Sequence, residues 1–242
     1  MKATLSDQRA ILDIQNFDFN HAALTNKAAN LPEIAAIASL TIKSHNARDL
    51  RIAAETETSD VKRELARAEG DVEQIVTRIN RDEARLGSGT ASPKELEQLQ
   101  HELVSLNARR AELEEIELEI MMRIDGLKER ITELAEQERV LGNEITELEI
   151  KKANALAVIN ADLEANVADR ASVVSSVSPE LLALYEKIRL ANNGTGAAAL
   201  VGNQCKGCNL AINTIELQRI AGLAEDEVVR CEECRCILVR GL

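Results

Sequence analysis

Five cysteines lie in the last 38 residues, and their spacing is the chain's main chemical signal. Cys205-x2-Cys208 is followed by 22 residues and then Cys231-x2-Cys234. A C-x2-C turn lets both of its sulfurs reach one ion, so two such turns complete a tetrahedral four-thiolate site. Soft thiolates select zinc or iron over magnesium or calcium. With all four corners filled by protein, one zinc here is structural and has no open position for catalysis. Cys236, the fifth, makes a poorer knuckle with Cys231 than Cys234 does. In a strand after the knuckle it is expected to turn away from the metal as a small, semi-buried thiol. A swap ligand and a redox-sensitive thiol are the functional alternatives.

The flanks of each knuckle are ALVGNQ-CKGC-NLAI and EVVR-CEEC-RCILV, and both read as strand, turn, strand. Gly207 suits the first tight turn, and Asn209 tolerates a left-handed backbone after it. Between the knuckles, Asn213 caps a short helix that Gly222 stops. A module of residues 197–242 with so little apolar material needs its metal to fold.

The elements upstream must carry that module. Aromatics are 1% of the 242 residues and charged residues are 29%, the profile of long helices and coiled coil. An amphipathic helix or two is predicted over 4–30, and Pro32 takes the first turn of the next. From about 33 to 86, Val61, Leu65, Ala68, Val72, Ile75, Ile79 and Leu86 step by four and three, broken only at Asp82. That is a heptad seam. LGSGTASPKEL ends it and Ser92–Glu95 forms a capping box for a second helix, 93 to about 172. There, Leu99, Leu106, Leu113, Ile120, Leu127, Leu134, Leu141 and Leu148 recur every seven residues. Arg110, Glu117 and Glu138 occupy core positions of the companion line. They read as snorkelling side chains that set register, or else as a partner groove. A short loop between two such helices makes them antiparallel.

The expected fold is therefore mainly α: a long antiparallel coiled-coil helical hairpin with a small C-terminal β zinc ribbon. Residues 1–196 form the helical domain, with the hairpin tip at 87–92 and a base helix at 179–192. Residues 197–242 form the ribbon. The overhang of the second helix, about 147–172, packs on the N-terminal helix as a base. The linker Asn192–Gly196 permits either a ribbon docked on that base or one that swings.

Charge narrows the function. The net charge is −12; residues 87–177 hold 19 acids against 10 bases, and 197–242 hold six against five. A broad nucleic-acid surface needs clustered Lys and Arg, so only a local patch remains. Its candidates are Lys206, Arg219, Arg230, Arg235 and Arg240. Lys94 and His101 are interaction candidates near the tip. His21, His45 and His101 lie far apart, and there is no phosphate-binding glycine loop or nucleophile elbow. The acidic run Glu112–Glu119 reads as a solvated face. These features argue against an enzyme. No apolar leader or membrane-length run occurs, so a cytoplasmic protein is expected, as monomer or homodimer.

The sequence resembles the bacterial coiled-coil, C4-type zinc-ribbon proteins, and is most like their actinobacterial members. The matching pieces are LPE at 31–33, SPKELEQLQHEL at 92–103, SPELLALY at 178–185 and CKGC…VVRCEECRCILV. The resemblance implies a helical hairpin with a terminal ribbon and zinc on Cys205, Cys208, Cys231 and Cys234. It also implies an adaptor, since such proteins are linked to an alternative sigma factor, to flagellar or type III export, and to RNA. A non-enzymatic adaptor with unidentified protein partners is the leading expectation; a nucleic-acid-binding regulator acting through the ribbon is the alternative. One departure stands out. The family pattern has Cys-Gly-Arg-Ile-Leu after the last ligand, whereas this chain has Cys234-Arg235-Cys236-Ile237-Leu238. A positive φ at Arg235 in place of glycine would cost about 1–3 kcal/mol.

Overall fold

The computed structural model describes residues 1–89 and 91–241. The chain forms two compact units, one of Met1–Ile34 with Ile150–Leu242 and one of Ala35–Glu149. The boundary expected at 196/197 falls inside the first of these.

The second unit is the antiparallel pairing of α2 (Pro32–Gly87) with α3 (Pro93–Val174), both of which continue into the first unit. Every seventh residue of α2 from Ala47 to Ala68 is buried, namely Ala47, Ala54, Val61 and Ala68. On α3, Leu99, Leu106, Leu113 and Ile120 are buried at the same interval. Small side chains on one helix and large ones on the other let such layers interlock. Arg51 bonds Glu138 at 2.9 Å, Arg123 bonds Glu64 at 3.1 Å, and Arg78 pairs with Glu102, which fixes the register across the pair. Arg110, Glu117 and Glu138 are half-buried, and the Arg51 contact to Glu138 accords with a register-setting role. Asp82, which interrupts the seam in sequence, stays in it in space. It is buried; its Oδ1 lies 3.7 Å from Arg81 Nε, and its Oδ2 has no hydrogen-bond partner among the described residues.

The tip carries the expected capping box. Ser92 N–H donates to Glu95 Oε2 at 2.8 Å, and Glu95 N–H donates to Ser92 Oγ at 3.4 Å. Thr90, within the expected tip 87–92, lies outside the described residues.

The first unit is built on α1 (Leu5–Ala29), a single helix capped by Thr4, together with the end of α3 and α4 (Pro179–Ala191). Asn193 and Gly194 take positive φ and stop α4. Then come β1 (Ala197–Val201), β2 (Gln204–Cys205), α5 (Thr214–Ala221), β3 (Val229–Arg230) and β4 (Ile237–Val239). The strands form one sheet in the order β2-β1-β4-β3, with β1 and β4 parallel and the outer pairs antiparallel.

Side chains alternate across a strand, and here both faces are covered. Ala197, Ile237 and Val239 join a core with Ile11, Ile14, Leu181, Tyr185 and Ile188. Ala198 and Leu238 face the other way, into a core with Ile220, Val229 and the cysteines. The ribbon thus shares one of its two cores with α1 and α4, which is why it does not separate at residue 197. Gly196 is needed where β1 enters: a Cβ there would meet the Tyr185 ring at 2.6 Å. The N-terminus adds a further clamp. Ala3 N–H donates to Asp226 O at 2.7 Å, Val228 N–H donates to Met1 O at 3.0 Å, and Lys2 pairs with Asp226 at 2.9 Å.

Candidate metal centre

Both knuckles are built the same way. Asn209 N–H donates to Cys205 O at 2.8 Å, and Arg235 N–H donates to Cys231 O at 3.0 Å. In each case the donor is four residues beyond the first cysteine and has a left-handed backbone, φ 62° at Asn209 and 63° at Arg235. Asparagine adopts this conformation readily, whereas arginine does so only against strain. Gly207 has no positive φ. It is favoured instead by crowding: a Cβ there would lie 3.0 Å from Ala198 Cβ and 3.3 Å from Cys236 Sγ, and these neighbours would have to give way.

The two knuckles bring Cys205, Cys208, Cys231 and Cys234 together with their sulfurs all within 4.8 Å of one another. Cys205 Sγ is 3.8 Å from Cys234 Sγ, and Cys208 Sγ is 3.9 Å from Cys231 Sγ. A tetrahedral ion with metal–sulfur bonds of about 2.3 Å requires sulfur–sulfur edges of about 3.8 Å. The four residues therefore fit one metal ion in number, chemistry and spacing. Burial, above all, pushes the Cys234 thiol up to about 12. A cation at the centre of the four sulfurs would reverse that preference, because metal binding deprotonates its ligands.

Cys236 departs from expectation. It does not turn away from the cluster. It is fully buried, with Sγ 3.2 Å from Cys234 Sγ and 3.7 Å from Cys205 Sγ. After the left-handed turn at Arg235, Cys236 lies with Leu238 in the core that holds the cysteines, while Ile237 and Val239 face the other way.

Four of the five basic candidates of the ribbon donate hydrogen bonds within it. Arg240 is structural: its guanidinium donates to the carbonyls of Ile220, Leu223, Ala224 and Glu227 and closes the loop after α5. Arg219 is held by both oxygens of Glu216 at 2.6 and 2.5 Å. Lys206 donates to Gln204 Oε1 at 2.6 Å. Arg230 and Arg235 are exposed and adjacent, with Arg230 Nε donating to Arg235 O at 3.0 Å. Lys94 and His101 are exposed and belong to the other compact unit.

Two polar assemblies that support the centre were not legible in sequence. Gln15, buried on α1, accepts from Gly196 N–H at 2.6 Å and Ala197 N–H at 3.0 Å, and donates to Gly194 O at 2.8 Å. Asp18 accepts from Tyr185 Oη at 2.6 Å and from Arg170 Nε at 2.8 Å, while Arg170 and Arg189 share Glu186. Burial raises the Asp18 pKa, but the bonds from Arg170 and Tyr185 outweigh it and hold the carboxyl below its ordinary value. The available hint was the chain's single tyrosine, since a buried tyrosine hydroxyl seeks a partner.

Comparison with known proteins places these features in a wider group. Residues 14–193 match the model of the CT398-like coiled coil hairpin domain. An uncharacterized protein of Mycobacterium tuberculosis is 35% identical over 99% of this chain and 98% of its own length. A solved structure from Mycobacterium smegmatis superposes with a TM-score of 0.87 at 32% identity, covering 99% of this chain and 100% of the other. CT398 from Chlamydia trachomatis superposes at 0.72 with 20% identity over 97% of this chain and 98% of its own, a likeness of fold alone.

Proposed function

Because the chain belongs to the CT398-like coiled-coil hairpin family, we propose that it is a non-enzymatic adaptor: the paired helices dock a protein partner, and one zinc ion holds the ribbon. The metal assignment rests on the donor set. Four thiolates at tetrahedral spacing with every corner occupied describe a structural zinc centre.

The observation that carries the adaptor reading is on α3. Val104, Leu118 and Met122 are 70%, 59% and 67% exposed. At 3.6 residues per turn they fall within about 40° of one another on the helix. Leu118 and Met122, one turn apart, form an exposed apolar pair on this face, and methionine adapts well to a partner's shape. The test is affinity capture from native lysate, with and without nuclease, comparing the full chain with a Leu118→Gln/Met122→Gln variant. A protein that survives nuclease treatment and is lost with the variant supports the reading. Recovery that requires intact nucleic acid and ignores the variant sinks it in favour of a ribbon-borne nucleic-acid module.

A further inference from the structure

The two sulfurs of Cys234 and Cys236 differ in access although they nearly touch. Cys234 is partly exposed and lines an open hollow of about 430 Å³ with Lys187, Ile188, Arg230 and Arg235. Cys236 stands directly behind it, fully buried. Their separation of 3.2 Å is the shortest sulfur–sulfur distance in the cluster, against 3.7 to 3.9 Å for the others given above. Closing to a disulfide of about 2.05 Å requires about 1.2 Å of movement. Extended chain would hold alternate Cα atoms about 7 Å apart, beyond the usual disulfide reach of about 6.8 Å. The left-handed turn at Arg235 (φ 63°) shortens that span.

We propose that Cys234 and Cys236 form a peroxide-reactive pair, in which Cys236 resolves an oxidised Cys234 into a disulfide and so removes one ligand from the metal centre. The Cys234 thiolate attacks one oxygen of a hydroperoxide. The O–O bond breaks, Cys234 becomes a sulfenic acid, and with hydrogen peroxide the departing hydroxide takes a proton and leaves as water. The Cys236 sulfur then attacks the sulfenic sulfur. The S–O bond breaks, and hydroxide leaves with the Cys236 proton as a second water. Two electrons pass from the sulfurs to the peroxide, and one proton is taken from solvent. Burial shields Cys236 from direct oxidation, while its position lets it intercept the sulfenic acid before further oxygen is added. The effect on the metal rests on the four-thiolate zinc reading: Cys205, Cys208 and Cys231 alone hold the ion less firmly.

The test uses the full chain, with its metal content measured by mass spectrometry, and hydrogen peroxide as the probe. Metal release is followed with a chelating dye, and disulfides are mapped by intact mass and peptide analysis. Wild type is expected to lose two hydrogens, to show a Cys234–Cys236 bond, to release metal, and to recover with a thiol reductant and zinc. Cys236→Ser and Cys236→Ala are expected to form no such disulfide, to accumulate oxygen additions at Cys234, and not to recover with reductant and zinc. A wild-type disulfide joining any other pair overturns the proposal, as does full recovery of both variants with reductant and zinc. The wild-type map stands even if a variant fails to fold. A chain that binds no metal would instead sink the zinc reading, while the disulfide map still judges the thiol pair.

Discussion

Asp18 joins α1 to the end of α3 and to α4, so replacing it by asparagine should loosen the platform beneath the ribbon. Its side chain is 12% exposed and that of Arg170 is 25% exposed. Asp18→Asn keeps one acceptor oxygen, which Tyr185 can use. It removes the charge that faces Arg170 at 2.8 Å and Arg189 at 3.4 Å. Truncating one partner of a buried ion pair costs about 3–5 kcal/mol. The partial exposure of both arginines, and their remaining contacts to Glu186, reduce this to about 2–3 kcal/mol. For a chain of this size that corresponds to a melting shift of about 4–12 °C. The assay is thermal unfolding by circular dichroism at neutral and acidic pH. The folded Asp18 pKa is depressed relative to its ordinary 3.8. Its stabilisation is therefore fully present above that value and is lost as pH falls through the lower, folded one. The gap between wild type and variant should narrow in the same direction. A variant melting within about 1 °C of wild type at neutral pH would refute the reasoning, as would a gap that ignores pH.

Three further outcomes are expected. Gln15→Leu leaves the Gly196 and Ala197 amides without their acceptor, costing about 2–4 kcal/mol; hydrogen exchange at these two amides should accelerate while α2 and α3 stay protected. Asp82→Leu should stabilise the helical pair by about 1–2 kcal/mol and raise its melting temperature, because an apolar side chain replaces a buried carboxylate whose Oδ2 is unbonded and whose Oδ1 meets the exposed Arg81 at 3.7 Å; a lower melting temperature would show that the Arg81 ion pair outweighs the desolvation of the carboxylate. Cys208→Ser removes one of the four clustered sulfurs, so metal content measured by mass spectrometry should fall below one per chain. Helical circular dichroism should largely persist, because residues 35–149 form their own compact unit.

Features encoded by local periodicity were legible without coordinates. The seven-residue repeats of α2 and α3, the Ser92–Glu95 box and the Asn213 cap each depend on residues within two turns of one another, and each appears as read. The C-x2-C pairs are local in the same sense, so the four-cysteine cluster followed once the two knuckles met. The asparagine after the first knuckle and the arginine after the second both took the left-handed backbone that the turn demands.

What lay beyond the sequence depended on contacts between distant segments. The direction of Cys236 was not legible because it depends on which face of β4 is turned toward the knuckles; Cys236 lies with Leu238 in the core that holds the cysteines. Nothing local to Gln15 reveals that its amide will meet Gly196 and Ala197, some 180 positions later. Asp18, Arg170 and Tyr185 each read as ordinary helix residues until three helices converge on them. The ribbon read as a module of its own because its cysteines are self-contained. Its sheet, however, has two faces, and the pattern of one strand does not say what will cover the second. The sequence by itself determined the helices, their pairing and the four-cysteine cluster that fits one metal ion, because these follow from spacing along one chain direction. Only the tertiary structure decided that the ribbon shares a core with α1 and α4, and that a fifth sulfur stands against the other four.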